Sequence, residues 1–131
     1  MLNWQKAALT QYDTMQSAVE LMSKKSQRIV LVVDKSDRLI GTVTDGDIRR
    51  ALIKHLPMST SLADVMFKDP TVASIDDSKE TILSVMKKLD LLQMPIVGSS
   101  KRVVGLETFQ NLIEEKRYDN PVFLMAGGFG K

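Results

Sequence analysis

The sequence predicts an α/β (α+β) fold built from tandem β-α-β-β-α repeats, and three observations lead there. The chain aligns with itself, without a gap, at a shift of 64 residues. Short β-branched runs and stretches of helical spacing alternate in the same order in both copies. Turn-forming residues separate them at corresponding places. In this alignment Arg38-Leu39-Ile40-Gly41-Thr42-Val43-Thr44 falls on Arg102-Val103-Val104-Gly105-Leu106-Glu107-Thr108. Val32-Val33 falls on Ile96-Val97, Met22 on Met86, and Asp13-Thr14 on Asp77-Ser78.

In the first unit, Ala8-Leu9-Thr10 reads as a short edge strand. Thr14 to Lys25 carries Met15, Ala18, Val19, Leu21 and Met22 at helical spacing, with Thr14 as the cap. Ile29 to Val33 is a continuous apolar run, the pattern of a strand buried on both faces. Asp34-Lys35-Ser36-Asp37 is turn chemistry, so Arg38 to Val43 returns as the second strand of a hairpin. Asp45 to Ile53 is again helical, with Ile48, Ala51 and Leu52 on one side. Lys54 to Pro70 is a linker with Pro57 near its start, and Leu62 to Met66 forms a helical turn inside it.

The second unit repeats the plan. Thr71-Val72-Ala73 is the edge strand, and Ser78 caps a helix holding Ile82, Leu83, Val85, Met86 and Leu89. Met94 to Val97 and Arg102 to Leu106 form a hairpin across Gly98-Ser99-Ser100, and Phe109 to Glu115 is the closing helix. A unit of about 50 residues buries only a marginal apolar surface by itself. The two are therefore expected to face each other with pseudo-two-fold symmetry and two related clefts between them. The expected divisions are residues 1–57, 58–118 and a separate piece, 119–131.

Composition bounds the function. Of 131 residues, 44% are hydrophobic and 26% charged, which is globular and too apolar for a disordered chain. The absence of cysteine excludes a disulfide scaffold, a thiolate metal site and a cysteine nucleophile, and it fits a reducing compartment. A net charge of +2 is too weak for a nucleic-acid partner, which demands a concentrated basic face. The longest strongly apolar run, Ile29 to Val33, falls far short of the ~20 residues that span a bilayer, and the polar start has no signal-peptide core. A cytoplasmic location without a membrane partner is expected. One histidine, His55, leaves no nucleophile–base set, so no catalytic residue is expected. Asp45-Gly46-Asp47 lacks the further acids of a calcium loop, so no metal site is expected either. The eight methionines fall at core spacing or in linkers, and Trp4, Tyr12 and Phe67 either stack on a base or anchor the ends.

The densest chemistry lies in Gly41-Thr42-Val43-Thr44-Asp45-Gly46-Asp47, at a strand-to-helix junction. Free N–H groups at a helix start attract phosphate. Gly41 and Gly46 remove bulk where a ligand approaches. Thr44 offers a hydroxyl, Asp47 offers two acceptors suited to a ribose diol, and Arg49 and Arg50 follow within reach of phosphate. Thr44-x-x-Asp47 also has the form of a capping box, which needs no ligand. The two roles are compatible.

The 64-residue repeat, the paired hairpins and the Gly-x-x-Thr-x-x-Asp junction together resemble a cystathionine-β-synthase (CBS) domain pair, or Bateman module, over roughly residues 9 to 115. The resemblance implies that Thr44 and Asp47 bind the ribose and phosphate of AMP, ATP or S-adenosylmethionine. It implies adenine contacts from Thr10 to Tyr12 and from Arg28, Ile29 and Val30. It implies no required cofactor, and a flat homodimer. In the second copy Asn111 stands where the family has Asp, although Gln93-Met94-Pro95 matches the apolar-Pro strand start. A second, weaker site is thus expected from Gln93, Met94, Pro95, Thr108 and Asn111. The function expected is a regulatory adenine-nucleotide sensor, the alternative being a ligand-free dimerisation module.

Residues 117 to 131 lie outside the repeat. Asn120-Pro121 breaks the chain, Val122 to Met125 reads as a buried strand, and Ala126-Gly127-Gly128-Phe129-Gly130 is a glycine-rich loop of the kind that meets phosphate. Leu124 to Gly130 resembles the opening signature of sugar-1-phosphate nucleotidyltransferases, which continues with Thr or Ser and then Arg; here Lys131 ends the chain. The resemblance implies a regulatory piece tethered to such a catalytic domain, cut just past the domain border.

Overall fold

The computed structural model describes residues 3–24 and 28–119, with residues 115–119 as backbone only. The expected strand at 122–125 and the loop at 126–130 lie outside the described residues. The order is β1 (Ala8–Leu9), α1 (Met15–Met22), β2 (Val30–Val33), β3 (Leu39–Val43), α2 (Asp45–Ile53), then β4 (Ala73–Ser74), α3 (Lys79–Leu89), β5 (Gln93–Val97), β6 (Val103–Thr108) and α4 (Phe109–Asp119). This is the mixed α+β fold of tandem β-α-β-β-α units. Each unit holds one three-stranded sheet, ordered β1-β2-β3 and β4-β5-β6, parallel at its first pairing and antiparallel at its second.

The duplication extends to irregular detail. The ladder slips between Val32 and Val33 in one hairpin and between Ile96 and Val97 in the other, the same positions of the repeat. Arg38 and Arg102, which align with each other in the sequence, form an antiparallel bridge between the hairpins. An antiparallel pairing of equivalent residues is what a two-fold axis passing between them produces.

Two helices differ in length from the expectation. α1 stops at Met22 rather than Lys25, because the Ser23 hydroxyl donates to Glu20 O at 2.7 Å and ends the helix locally. α4 runs to Asp119 rather than Glu115, since nothing breaks it before Asn120-Pro121. The caps follow the sequence: Thr14 Oγ1 accepts from Ser17 N at 3.2 Å and Ser78 Oγ from Thr81 N at 3.1 Å.

Three apolar clusters hold the chain together. The first unit packs Met15, Ala18, Val30, Val32, Val43, Ile48 and Ala51. The linker completes it, because Leu62 is fully buried there and Val65 and Met66 pack alongside. The second unit packs Ile82, Leu83, Met86, Met94, Ile96 and Leu112 around Ala73. Between them lies a shared seam of Ile29, Leu31, Val33 and Leu39 against Val97, Val103 and Leu106, with Trp4 packed on it. The linker also bonds across the first unit. Thr60 O and Met58 O accept from Met15 N and Gln16 N at 2.8 and 3.0 Å, covering the start of α1.

Asp34 closes the first hairpin. Its Oδ1 accepts from Ser36 N at 2.8 Å and Arg38 N at 3.0 Å, and Oδ2 lies 3.6 Å from Arg38 Nε. The Arg38 backbone N–H, with further help from Ser36 and from the charges of Arg38 and Arg102, holds this carboxyl below its ordinary value despite some desolvation. A carboxyl with a lower pKa folded than unfolded stabilises the fold above the unfolded value, and that contribution disappears as pH falls through the folded one. Asp34→Ala is therefore expected to destabilise the protein at neutral pH, with the gap to the native chain narrowing below about pH 4. Urea unfolding across that range measures it, and a gap that stays constant excludes the role.

Candidate functional site

The strand-to-helix junction of the first unit forms one wall of a cleft of about 230 Å³. Thr42, Thr44, Asp47 and Arg50 come from β3 and α2, and Ile29 stands just before β2. Phe67, Pro70 and Thr71 come from the linker region. The opposite wall belongs to the second unit: Leu91, Gln93 and Pro95. The cleft therefore lies between the halves, and neither half builds it alone.

Asp47 is the centre of its polar side. It is buried, with 7% of its surface exposed, although it is a carboxylate. Thr44 N donates to its Oδ2 at 2.9 Å and Thr44 Oγ1 donates to the same oxygen at 3.1 Å. Arg50 Nη2 donates to Oδ1 at 2.5 Å. The acid arm of the capping box is thus present, and the same carboxylate faces the cleft. The cap role and a position on the wall of the cleft coexist in one side chain.

Phe67 is one of three residues, with Trp4 and Tyr12, that sequence reasoning left between stacking and anchoring. Thr42 N donates to Phe67 O at 3.0 Å and Phe67 N to Thr42 O at 2.8 Å, an isolated bridge that seats the linker on β3. Phe67 lines the cleft and remains 52% exposed, so its ring is available to a flat partner. Gly41 permits this approach. A Cβ there would stand 2.7 Å from Met66 Sδ and 3.0 Å from Phe67 O. The space that Gly41 clears is filled by the protein's own linker rather than left for a ligand.

The other expected contacts are divided. Ile29 lines the cleft, but Val30 points into the first core, being the next residue of a strand whose side chains alternate. Arg28 is exposed, and its backbone N donates to Gln93 Oε1 at 2.9 Å, tying the halves together at the cleft. Thr10 and Tyr12 line a different crevice, of about 440 Å³, with Gln11 and the hairpin turn Val33 to Ser36. They precede α1, whereas the linker residues beside Thr44 and Asp47 precede β4.

The group expected to form a second site is divided too. Gln93 and Pro95 face the first cleft, and Met94, alternating between them, is buried in the second core. Thr108 caps α4, its Oγ1 accepting from Asn111 N at 3.1 Å. Glu107, which the sequence reading passed over, is 2% exposed. Its Oε1 accepts from Asn111 Nδ2 at 3.0 Å and from Thr108 N at 3.2 Å. In the first unit the acid at the third helical position bonds the cap's backbone N–H. In the second, that acid has become Asn111, and a glutamate from the strand takes over the bond. The signal was a glutamate in a strand position where the first unit has Val43.

Among the described residues no three or more His, Cys, Asp or Glu side chains gather as a metal site, and no helix is long and apolar enough to cross a membrane. Two facing β-α-β-β-α units with a capped carboxylate in the cleft between them define a duplicated, two-unit module. The sequence matches the CBS domain family over residues 7–54 and 62–116. The chain belongs to that family and is a CBS domain pair.

Its relatives carry the module within longer proteins. The chain is 29% identical over 106 residues to an inosine-5'-monophosphate dehydrogenase of Methanocaldococcus jannaschii, the match covering 81% of this chain and 21% of that protein. It is 33% identical over 95 residues to a homoserine O-acetyltransferase of Methanobrevibacter ruminantium, covering 72% of this chain and 19% of that one. The chain thus spans about a fifth of the length of these relatives. Among solved structures, a putative acetoin utilization protein (AcuB) from Vibrio cholerae is 25% identical with a TM-score of 0.73, covering 92% of this chain and 87% of that one. CBSX2 in complex with AMP is 19% identical with a TM-score of 0.71, covering 84% and 85%. The CBS domain pair of MJ0100, in complex with 5'-methylthioadenosine and S-adenosylmethionine, is 20% identical with a TM-score of 0.70, covering 86% and 89%. The last two share the fold with this chain.

Proposed function

We propose that this CBS pair is a regulatory module that senses an adenine nucleotide in the cleft between its halves. One observation carries the reading: Asp47, a nearly buried carboxylate at a helix start, forms the polar side of a cavity whose far wall belongs to the other unit. A ribose diol donates well to such a carboxylate. Ile29, Leu91, Pro95 and Phe67 offer apolar faces to a purine, and the first turn of α2 offers N–H groups to a phosphate. Because the cleft is shared, a bound nucleotide favours the closed arrangement of the halves and biases whatever is attached to them. The adenosine ligands of CBSX2 and MJ0100 support that chemistry.

In this reading the module is cytoplasmic and homodimeric. Residues 124–130, Leu-Met-Ala-Gly-Gly-Phe-Gly, support a sugar-phosphate nucleotidyltransferase as the tethered catalytic domain. Thr-Arg or Ser-Arg encoded directly after Lys131 in a longer form of the protein is the pattern that agrees with it.

Calorimetric titration with AMP, ATP and S-adenosylmethionine tests the sensor role. One preferred ligand is expected, with a thermal shift equivalent to about 2.7 kcal/mol at a hundredfold excess over Kd. No heat and no shift with any of the three overturns it. The second reading, a ligand-free dimerisation module, is favoured by Leu52 and Ile53, which stand 50% and 69% exposed at the end of α2. It fits a stable dimer in sedimentation that no nucleotide stabilises.

A further inference from the structure

We propose that Arg50 is an exchangeable counter-ion of Asp47 that makes the cleft select phosphate-bearing nucleosides over bare ones. This rests on the nucleotide reading above and adds to it a rule of selectivity.

Both oxygens of Asp47 have partners within the protein. Oδ2 is held by the backbone N–H and hydroxyl of Thr44, and Oδ1 by Arg50. Three donors thus take three of the carboxylate's roughly four acceptor sites, so a ribose diol, which donates two hydrogen bonds, needs one of them released. The Thr44 bonds secure the first turn of α2 and are short-range, so releasing them frays the helix. Arg50 is different: its side chain is 65% exposed, against 7% for Asp47, and it holds on at the end of a long flexible stem. It is the partner that yields.

Its position decides where it goes. A Cβ on Gly46 would lie 3.4 and 3.6 Å from Arg50 Nη1 and Nη2, so the guanidinium rests against the first turn of α2. A phosphate drawn to the start of that helix arrives beside it. The planar fork of arginine matches phosphate oxygens as well as it matches carboxylate. A nucleoside monophosphate therefore takes Asp47 Oδ1 and returns an anion to Arg50. A nucleoside without phosphate takes the same oxygen and leaves the guanidinium unpaired.

The second unit lacks the device. The positions aligned with Asp47 and Arg50 are Asn111 and Glu114, and Glu114 Oε1 accepts from Gln110 Nε2 at 3.4 Å instead. Both members of the pair are changed together, so the exchange is confined to the half whose junction lines the cleft.

Calorimetry of the native chain, Arg50→Gln and Arg50→Lys with adenosine and AMP tests the proposal. The native chain is expected to prefer AMP by about tenfold or more. In Arg50→Gln, AMP should weaken by about tenfold while adenosine binds equally well or more tightly, bringing the two affinities together. Arg50→Lys should recover part of the preference, because it restores charge without the fork. A parallel loss of both ligands in Arg50→Gln, or an unchanged ratio, overturns the exchange and leaves the nucleotide reading standing. Failure of both ligands to bind the native chain overturns the exchange, and the nucleotide reading falls with it only when ATP and S-adenosylmethionine also fail to bind.

Discussion

Replacing Leu106 with alanine is expected to lower the unfolding free energy by about 2–5 kcal/mol. Leu106 is fully buried in the seam, where it meets residues of both units. Truncation removes transfer free energy and leaves a cavity between elements that the β2–β3 and β5–β6 ladders hold in place. The seam is the common boundary of two units that are each marginal in size, so its loss is felt by both. One cooperative transition at lower urea is expected, with an unchanged slope. Trp4 is the sole tryptophan and packs on the seam, so its fluorescence reports that boundary while circular dichroism reports the whole chain. A loss below about 1 kcal/mol, or two probes that separate, contradicts a shared core.

Asp47→Ala is expected to weaken the preferred nucleotide by about 1.5–3 kcal/mol, or roughly 10- to 150-fold. The same change removes the acid arm of the α2 cap and costs about 1 kcal/mol of stability. Thr44 N loses its acceptor and Arg50 its counter-ion. Asp47→Asn separates the two effects. It keeps the shape and one acceptor, as Asn111 does in the second unit, so stability should fall less than in the alanine variant while nucleotide affinity stays poor. Titration and urea unfolding of the three chains provide the comparison. A folded Asp47→Ala chain that binds with native affinity removes this carboxylate from the ligand site.

These two residues mark where sequence reasoning is strong and where it ends. Asp47 was legible because its signal is local: a threonine, an acid three positions on, and a helical pattern behind them. Leu106 was legible only as a strand residue. That it faces the other unit, with Leu31 and Val33, follows from how the two hairpins meet at the Arg38–Arg102 bridge.

The same limit applies to the rest of the site. Gln93 and Pro95 read as part of a second site in their own unit, yet they complete the cleft of the first. Gly41 read as clearance for a ligand, and Met66 fills it. Glu107 drew no attention, because a buried acid in a strand has meaning only once Asn111 and Thr108 N are seen to converge on it.

By itself the sequence determined the duplication, the order of elements, the hairpins and the helix caps, and through them the family. All of these depend on neighbours a few positions apart, where periodicity and turn chemistry act directly. Only the tertiary structure decided which side chains share a cavity. That depends on packing residues some sixty positions apart across a two-fold seam, where alternation along a strand sends Gln93 to the cleft and Met94 to the core.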